Sequence, residues 1–466
     1  MADLSGIVKA YDIRGTVPEQ LDADTARAFG AAFAELLQGE GQLRQIAVAH
    51  DMRDSGPALV DAFLDGATSR GVDAVHIGLA STDLLYYASG ALDVPGAMFT
   101  ASHNPAKYNG IKLCRSGAKP IGQETGLAQI RQTAEQLLSG ATSEAAASGK
   151  GTVERRDLLG DYAAYLRKLV DLSGIRPLKV VVDAGNGMAG HTVPAVLGDA
   201  ALPALPLDIV PLYFELDGTF PNHEANPIDP KNLVDLQAAV REHQADIGLA
   251  FDGDADRCFV VDERGEPVSP SAVTALVAVR ELAKHPGGTV IHNLITSRAV
   301  PEIVTEHGGT PQRTRVGHSF IKAEMARTNA VFGGEHSAHY YFKDFWFADT
   351  GMLAAMHVLA ALGAPEAAGR SFSELASAYH RYPASGEINS TVADQLAKLD
   401  EVRQAYQGRE GVTIDDLDGL TVDFTDGSWF NIRPSNTEPL VRLNVEARDT
   451  ERMAQLRDEV LALINR

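Results

Sequence analysis

Three widely separated segments of the chain repeat one pattern, in which a short apolar run is followed by a polar loop and then by a helix. The apolar runs begin at Ile46, Val180 and Val290. Strands that lead into helices in this way are typical of α/β domains. Because one hydrophobic core stops growing at about 250–300 residues, a chain of 466 residues predicts three or four domains.

The last segment of the chain follows a different pattern. Val422 and Phe424 alternate with polar neighbours, Asp426 begins an Asp-Gly turn signal, and Phe430 and Ile432 alternate again. This spacing predicts a β-hairpin. A further alternating run over residues 441–447 and an amphipathic helix over 453–464 follow it, so we expect a small α+β domain with the loop at 433–439 between two strands.

Residues 139–151 are rich in Ala, Ser and Gly and show no apolar periodicity, which is typical of a linker. With this segment as the first boundary, we predict α/β domains over residues 1–148, 149–251 and 252–366, and an α+β domain over residues 367–466. The metal loop described below would then begin the third domain.

Composition excludes several classes of partner. The formal net charge of -21 argues against a nucleic-acid partner, which requires a basic surface. The first residues carry no secretory signal and no apolar run is long enough to span a membrane, so we expect no membrane partner. Two cysteines, Cys114 and Cys258, are too few for a disulfide framework. We therefore expect a cytoplasmic location.

Asp252, Asp254 and Asp256 place three carboxylates at alternate positions beside Arg257. Carboxylates this close repel one another unless a cation neutralises them, which predicts a divalent, oxygen-preferring metal. With Glu263 the spacing also matches a calcium-binding helix-loop-helix. Arg257, however, stands where that motif needs glycine, and the flanking segments are typical of strands. Magnesium, which leaves coordination sites for phosphate oxygens, is therefore favoured over calcium.

Ser102 lies in a polar loop at residues 100–105 that follows an apolar run and precedes Lys112. Taken alone, the loop is typical of a solvated turn. The segment 333–339, which contains Glu335, Ser337 and His339, offers hydrogen-bonding groups for sugar hydroxyls, or else forms a capped turn before a strand.

The loop at 433–439 combines the guanidinium of Arg433 with two hydroxyls, an amide and free backbone N–H groups. This set suits a phosphate, because a guanidinium binds phosphate oxygens with two parallel hydrogen bonds. The alternative is an ordinary polar hairpin loop.

A hydroxyl loop, a metal loop, a polyol loop and a phosphate loop thus fall in four successive predicted domains. On these loops the chain resembles the α-D-phosphohexomutase family, in its bacterial phosphomannomutase/phosphoglucomutase branch. The resemblance extends over essentially the whole length, through motifs at residues 11–15, 100–105, 217–223, 252–257, 334–339 and 433–439. It implies three mixed α/β domains and a C-terminal α+β domain around a central cleft.

The resemblance also implies residue roles. Ser102 would be the phosphoserine and, with Asp252, Asp254 and Asp256, would hold one magnesium ion per active site. The implied substrate-binding residues are Tyr11, Glu335, Ser337, His339, Arg433, Ser435, Asn436 and Thr437, of which the last four would hold the non-reacting phosphate. The implied catalytic residues besides Ser102 are Arg14, Lys112, Arg257 and His318. Lys112 and His318 are candidates for proton transfer, or else are a solvated lysine and a loop histidine.

The implied activity is the interconversion of hexose 6-phosphate and hexose 1-phosphate, with mannose as the principal sugar and glucose as a second. It would proceed through phosphoSer102 and a hexose 1,6-bisphosphate, which also acts as primer. The alternatives are a phosphoglucosamine mutase and a magnesium-dependent sugar phosphatase. The distal phosphate loop counts against the phosphatase, which has no need to bind both ends of its ligand. The partners would be small hexose phosphates, and the sequence does not distinguish a monomer from a dimer.

Two positions and one segment depart from the family pattern. His336 stands where the nearest relatives usually have methionine, and Ala338 where they usually have glycine. The segment 294–298 lacks a lysine that some dual-specificity relatives carry, although Arg298 is present there. We expect the first two changes to crowd the sugar loop and so to alter the sugar preference.

Overall fold

The computed structural model of the protein describes residues 3–41, 44–140, 149–435 and 439–466, with the side chain of His318 left out. The chain forms two compact units. The first contains Met1–Val268 and Ser337–Ser373, and the second contains Ser269–His336 and Glu374–Arg466.

The first unit begins with a seven-stranded sheet flanked by helices. Its strands are β1 (Ile13–Thr16), β2 (Gln45–His50), β3 (Asp73–Leu79), β4 (Gly96–Phe99), β5 (Tyr108–Arg115), β6 (Lys119–Pro120) and β7 (Val153–Arg155). The helices are α1 (Ala23–Glu40), α2 (Gly56–Thr68), α3 (Thr82–Leu92), α4 (Leu127–Leu138) and α5 (Leu159–Leu169). The strand order is β1-β5-β4-β2-β3-β7, with β6 beside β5.

Strands β4, β2, β3 and β7 are parallel neighbours in this sheet. The loops that follow β2 and β4 therefore leave from the same edge, where parallel sheets carry their binding sites. Helix α1 begins at the N-cap Asp22, whose carboxylate accepts the backbone N–H of Thr25 at 2.8 Å. Its apolar face packs on α2, with the rings of Phe33 and Phe63 centred 6.0 Å apart.

A five-stranded second sheet also belongs to the first unit. It contains β8 (Leu178–Asp183), β9 (Leu207–Leu212), β10 (Ile247–Phe251), β11 (Cys258–Asp262) and β12 (Pro267–Val268), with α6 (Ala189–Val196) and α7 (Val234–His243). The order is β12-β11-β10-β8-β9. Strands β10 and β11 form an antiparallel hairpin. The predicted boundary between Phe251 and Asp252 falls within this hairpin, whose turn is the metal loop. Both strands of the hairpin belong to the second sheet.

The second unit begins with three parallel strands that have β13 in the middle. Its elements are α8 (Pro270–Lys284), β13 (Thr289–Asn293), α9 (Ala299–Glu306), β14 (Thr310–Thr314), α10 (His318–Thr328) and β15 (Phe332–Gly334). The chain then returns to the first unit for the antiparallel pair β16 (Tyr340–Phe342) and β17 (Ala348–Asp349) and for α11 (Gly351–Gly363).

The C-terminal part of the second unit is an antiparallel sheet covered by helices. After α12 (Phe372–Ala376), its elements are β18 (Ile388–Thr391), α13 (Gln395–Tyr406), β19 (Val412–Asp415), β20 (Leu420–Phe424), β21 (Trp429–Pro434), β22 (Leu440–Glu446) and α14 (Thr450–Ile464). The order is β18-β22-β21-β20-β19. Val422, Phe430, Ile432 and Leu456 are buried in its core. Short 3₁₀ turns lie at Gln123–Thr125, Pro230–Leu233, Lys343–Phe345 and Pro365–Ala367.

The predicted fold class is confirmed: the chain combines α/β domains with a C-terminal domain whose sheet is antiparallel. All three predicted strand-loop-helix units are present, at β2 with α2, β8 with α6, and β13 with α9. Most of the predicted linker, residues 141–148, lies outside the described residues. Among the described helices, none is long and apolar enough to cross a membrane.

Candidate active site

The turn between β10 and β11 gathers the three predicted metal ligands. One carboxylate oxygen from each of Asp252, Asp254 and Asp256 lies within 4.8 Å of the others. All three side chains are buried, at 0%, 0% and 2% exposure. The turn is flanked by strands, as the sequence indicated, which excludes a helix-loop-helix calcium site.

This carboxylate cluster fits a divalent cation. Within the described part of the chain, Asp254 Oδ1 and Asp256 Oδ1 are buried and accept no hydrogen bond. The Lys112 ammonium stands beside the cluster, with its Nζ 2.6 Å from an oxygen of Asp254 and 2.6 Å from an oxygen of Asp256. Burial, together with the neighbouring carboxylates, raises the pKa of Asp252 to about 7. A hard cation bound by these oxygens would offset that repulsion, and magnesium prefers such ligands.

Ser102 lies beside the cluster, in the loop between β4 and β5. Its Oγ donates to Asp252 Oδ2 at 2.8 Å, and its backbone N–H donates to Thr100 Oγ1 at 2.8 Å. The residue is 5% exposed and has a φ of 49°, a left-handed conformation that is uncommon outside glycine. Gly253 allows the two loops to touch, since a Cβ there would lie 2.3 Å from the Ser102 carbonyl oxygen.

Arg257 connects the metal loop to the serine loop. Its Nε donates to Asp252 Oδ2 at 3.0 Å, and its Nη2 donates to His103 Nδ1 at 2.7 Å. Because a guanidinium only donates, the His103 ring accepts at Nδ1 and carries its proton on Nε2. Burial first, and Arg257 second, lower the pKa of His103 well below its usual value. His103 is therefore neutral and orients the loop.

Lys112 projects from β5 into the same cluster. Burial opposes its charge, but Asp254 and Asp256 outweigh burial and raise the pKa of Lys112 well above its usual value. An ammonium held in this way keeps its proton at neutral pH. The geometry therefore favours a fixed positive charge over the proton transfer that the sequence suggested for Lys112.

Arg14 also reaches the serine loop, since its Nη1 donates to Asn104 Oδ1 at 2.6 Å while its Nη2 pairs with Asp12. Tyr11 is half-buried in the segment that leads into β1.

His339, predicted from its motif as a sugar ligand, lies beside the metal cluster. Its Nδ1 is 2.9 Å from Asp349 Oδ2 and 3.9 Å from Asp256 Oδ1. Its backbone forms a bridge with Arg257. Burial opposes protonation, but Asp256 and Asp349 outweigh it and raise the pKa of His339 above its usual value. The structure therefore groups His339 with the carboxylate cluster.

The other predicted sugar and phosphate ligands are divided between the units. Ser337 is half-buried in the first unit, whereas Glu335 is buried in the second. Arg433 is 9% exposed in the second unit and its Nη2 donates to Glu387 Oε2 at 2.8 Å. Ser435 is buried and its backbone N–H donates to Leu440 O at 2.9 Å.

Two predicted residues, Asn436 and Thr437, lie outside the described residues. His318 begins α10, but its side chain is not described. His336, one of the departures from the family pattern, lies in the second unit, with Nδ1 3.1 Å from Ser271 Oγ.

Sequence reasoning missed two side chains that build the site. Thr82 donates from Oγ1 to Asp254 Oδ2 at 2.6 Å and from its backbone N–H to Asp254 O at 3.0 Å. Arg53 donates to the backbone of the serine loop, including Ser102 O at 2.9 Å. Both follow strands of the parallel sheet, a position that favours binding groups, but neither lies in a motif that sets it apart.

The chain matches family models of phosphoglucomutase/phosphomannomutase over nearly its full length. The alpha/beta/alpha domains I, II and III match residues 5–139, 160–265 and 269–382, and the C-terminal domain matches residues 387–463. Fold, loops and models together define the class, and the chain belongs to the phosphoglucomutase/phosphomannomutase family.

Individual relatives agree with this assignment. The chain is 40% identical over 463 residues to a protein from Salmonella montevideo named phosphomannomutase, with 98% of each chain covered. It is 41% identical over 461 residues to a protein from Xanthomonas campestris pv. campestris named phosphohexose mutases, with 97% of this chain and 98% of the relative covered. A crystal structure of a family protein from Burkholderia thailandensis has a TM-score of 0.85 at 32% identity, covering 100% of this chain and 98% of that one.

Proposed function

We propose that this chain is a phosphohexomutase that moves a phosphoryl group between O1 and O6 of a hexose, with mannose as its principal sugar and glucose as a second. The observation that carries the proposal is the hydrogen bond of 2.8 Å between the Ser102 hydroxyl and Asp252, inside a buried carboxylate cluster. The relatives named phosphomannomutase, which are about 40% identical over nearly the whole chain, support the reaction and the sugar.

Asp252, Asp254 and Asp256 would hold one magnesium ion together with the phosphate on Ser102. When bound, magnesium would neutralise these carboxylates and polarise the phosphoryl oxygens. The two buried carboxylate oxygens that accept no hydrogen bond among the described residues support this ligand set.

The reaction consists of two phosphoryl transfers. In the first, the bond between Ser102 Oγ and phosphorus breaks as a sugar hydroxyl oxygen bonds to the phosphorus, which yields a hexose 1,6-bisphosphate. The bisphosphate reorients, and Ser102 Oγ then accepts the other phosphoryl group. Catalysis of this kind depends on positioning and on charge stabilisation. Lys112, Arg257 and Arg14 supply the fixed positive charges.

The sugar hydroxyl must lose a proton in the first transfer. His339 is the group the described geometry favours, because Asp349 fixes its Nδ1 and it lies beside Asp256. His318 remains a second proposal for the same task. In the first transfer Ser102 Oγ is the leaving group and takes up a proton as its bond to phosphorus breaks. In the second transfer it gives up that proton while the departing sugar oxygen gains one, so the cycle consumes no net proton.

The rest of the ligand is assigned by the family resemblance. We propose that Glu335, Ser337 and Tyr11 bind sugar hydroxyls, and that Arg433, Ser435, Asn436 and Thr437 bind the phosphate that is not reacting. Arg433 is held by Glu387 in a buried site, so a phosphate would find the guanidinium already oriented. We also propose a cytoplasmic location, which the two buried free cysteines support.

The test is the conversion of mannose 1-phosphate to mannose 6-phosphate, primed with catalytic glucose 1,6-bisphosphate. We expect turnover by the wild type and none by Ser102→Ala. Ser116→Ala is the matched control, because its hydroxyl donates only to Asp93 O at an exposed turn among the contacts described, and it should retain full activity. Stoichiometric release of free phosphate without isomer would contradict the mutase and favour the phosphatase.

A side-by-side comparison of mannose, glucose and glucosamine 1-phosphates tests the sugar. We expect kcat/KM to be highest for mannose, with glucose second. A preference for glucosamine 1-phosphate would instead assign the chain as a phosphoglucosamine mutase.

A further inference from the structure

Arg53 is a buried guanidinium that holds the backbone of the serine loop. Its side chain is among the largest that are fully buried in the described structure. It donates to four carbonyl oxygens: Nη2 to Ser102 O at 2.9 Å and Asn104 O at 2.7 Å, and Nη1 to Pro105 O at 3.0 Å and Tyr108 O at 2.8 Å. One side chain thus binds the loop at the reacting serine itself and at three residues that follow it.

Arg53 is itself fixed from the opposite side. The carboxylate of Asp51, which is 0% exposed, accepts the backbone N–H of Arg53 at 3.0 Å and its Nε–H at 3.3 Å. The ring of Phe220 lies 5.3 Å from the guanidinium carbon. Since β2 and β4 are parallel neighbours, the loop after β2 lies directly beside the loop that carries Ser102.

The hydrogen bonds from Arg53 affect both the backbone conformation and the charge of the loop at Ser102. A serine with a φ of 49° is in a sparsely populated conformation that persists only where the surroundings impose it. Carbonyl oxygens bound to Arg53 also have their partial negative charge neutralised. That matters next to a phosphoserine, which adds about two negative charges to the same loop.

We infer that Arg53 is a positioning residue for phosphoryl transfer: it holds the Ser102 loop so that Oγ keeps its place against Asp252 and the incoming sugar. The inference rests on the proposed function. It predicts that loosening Arg53 slows both transfers without weakening substrate binding, since displacement of a reacting group by about 1 Å costs about 100-fold in rate.

The test compares Arg53→Lys with Arg167→Lys. Arg167 is a matched control, because its guanidinium also donates to three carbonyl oxygens, Val196 O at 2.8 Å, Pro203 O at 2.5 Å and Gly198 O at 2.6 Å, in the second sheet's part of the same unit. A lysine at either position keeps the charge but cannot donate to several carbonyls in one plane. Mutase kinetics, circular dichroism and thermal unfolding are measured on wild type and both variants.

We expect Arg53→Lys to lower kcat about 100-fold with KM changed less than about threefold. Phosphorylation of Ser102 by glucose 1,6-bisphosphate, followed by intact-mass spectrometry, should slow by a similar factor. Arg167→Lys should keep its kcat even where its unfolding temperature falls. In Arg53→Ala, added guanidinium ion should restore part of the lost kcat, and it should do nothing for Arg167→Ala.

The inference is overturned if Arg53→Lys loses no more kcat than Arg167→Lys, or if its loss lies in KM alone. If Arg53→Lys does not fold, Asp51→Asn replaces it, since it loosens the anchor and keeps the guanidinium; normal kcat in that variant also overturns the inference. If the wild type shows no mutase turnover, it is the proposed function that fails. The wild-type assay reveals this before any variant is compared.

Discussion

Gly253 packs directly against the backbone of Ser102. A Cβ at this position would lie 2.3 Å from the Ser102 carbonyl oxygen, which is closer than real contacts allow. Because that oxygen belongs to a loop already held by Arg53, neither side of the contact has room to move aside. The absence of a side chain at Gly253 therefore sets the distance between Ser102 and the proposed metal ligands.

Gly253→Ala is expected to lower kcat by at least about tenfold and to weaken magnesium activation, because the metal loop must retreat from Ser102. Steady-state kinetics across a magnesium titration would show both effects. Gly39→Ala is the control: it lies within α1 with no atom near its missing Cβ, and it should stabilise the helix slightly with unchanged activity. Unchanged magnesium activation in Gly253→Ala would contradict this account of the contact.

Among the described residues, His292 gives a definite expectation for how folding stability changes with pH. It is 6% exposed on β13. Burial lowers its pKa to about 4, so the folded protein keeps the ring neutral. Below the ordinary histidine pKa of about 6.5, the unfolded chain binds a proton that the folded chain does not, so stability falls as the pH drops from about 6.5 toward 4.

We expect this single group to cost about 2 kcal/mol of unfolding free energy between pH 7 and pH 5. The urea transition of the second unit, which contains His292, is compared between the wild type and His292→Gln at both pH values. The unfolding free energy of the wild type, relative to that of His292→Gln, should be lower at pH 5 than at pH 7 by that amount. A difference that does not change with pH would show that His292 has the same pKa in the folded and unfolded protein, which contradicts the lowered value.

The site residues that the sequence could predict are those that stand close together in one motif, such as the three aspartates of the Asp252 loop. Arg53 was not found, because an arginine between two aspartates is ordinary in a solvated turn. Arg53 comes close to Ser102 because β2 and β4 pair as neighbours in the folded sheet, and the sequence does not show this pairing. His339 was predicted as a sugar-binding residue, and its motif does not show that Asp256 and Asp349 lie beside it.

At the scale of elements, the N-terminus of α3 supports the metal loop. Ser81 caps the helix, and Thr82 at its start binds Asp254 through both its hydroxyl and its backbone N–H. The next residue, Asp83, accepts hydrogen bonds from Tyr162 on α5 and Thr350 at the start of α11. The first turn of α3 thus ties the first sheet to the metal loop and to the returning segment of the same unit.

Thr82→Val removes one hydrogen bond to Asp254 and keeps the shape of the side chain. We expect the magnesium concentration for half-maximal activity to rise about tenfold, since supporting partners of ligands cost about 10–100-fold in metal affinity. Thr305→Val, which loses a hydroxyl bond to Pro301 O within α9, should leave that concentration unchanged. A normal magnesium requirement in Thr82→Val would contradict a role in holding the metal loop.

Helices and strands were predictable where the spacing of apolar residues showed a clear period. The amphipathic helix expected over residues 453–464 is α14, and the alternation around Phe430 is β21. The predicted boundary at residue 252 falls at the turn of a hairpin whose second strand continues the same sheet, a pairing that the loop motif does not reveal.

At the scale of the whole molecule, two compact units predict unfolding that is not two-state. In the second unit, Arg381 binds Glu306 on α9 through two hydrogen bonds of 2.7 and 2.6 Å, and Tyr382 binds Glu302 at 2.9 Å. These contacts join the C-terminal part of that unit to its α/β part. Exposed pairs of this kind contribute about 0.2–1 kcal/mol each and weaken in salt.

Calorimetry should therefore resolve more than one transition. Arg381→Gln is expected to lower only one of them, by about 2–4 °C, with a smaller shift at high salt. Arg27→Gln, which breaks pairs with Asp24 and Asp65 in the first unit, should shift a different transition. One transition that moves equally in both variants would show that the units unfold together.

The left-handed backbone at Ser102 also decides which amino acids could carry the reaction. Threonine has an equally competent hydroxyl, but a β-branched side chain is strongly disfavoured at a φ of 49°. Asparagine tolerates this conformation well and cannot accept a phosphoryl group. The choice of nucleophile is thus made by the main chain rather than by hydroxyl reactivity, and Ser102→Asn is the replacement that would keep the loop's shape in an inactive enzyme.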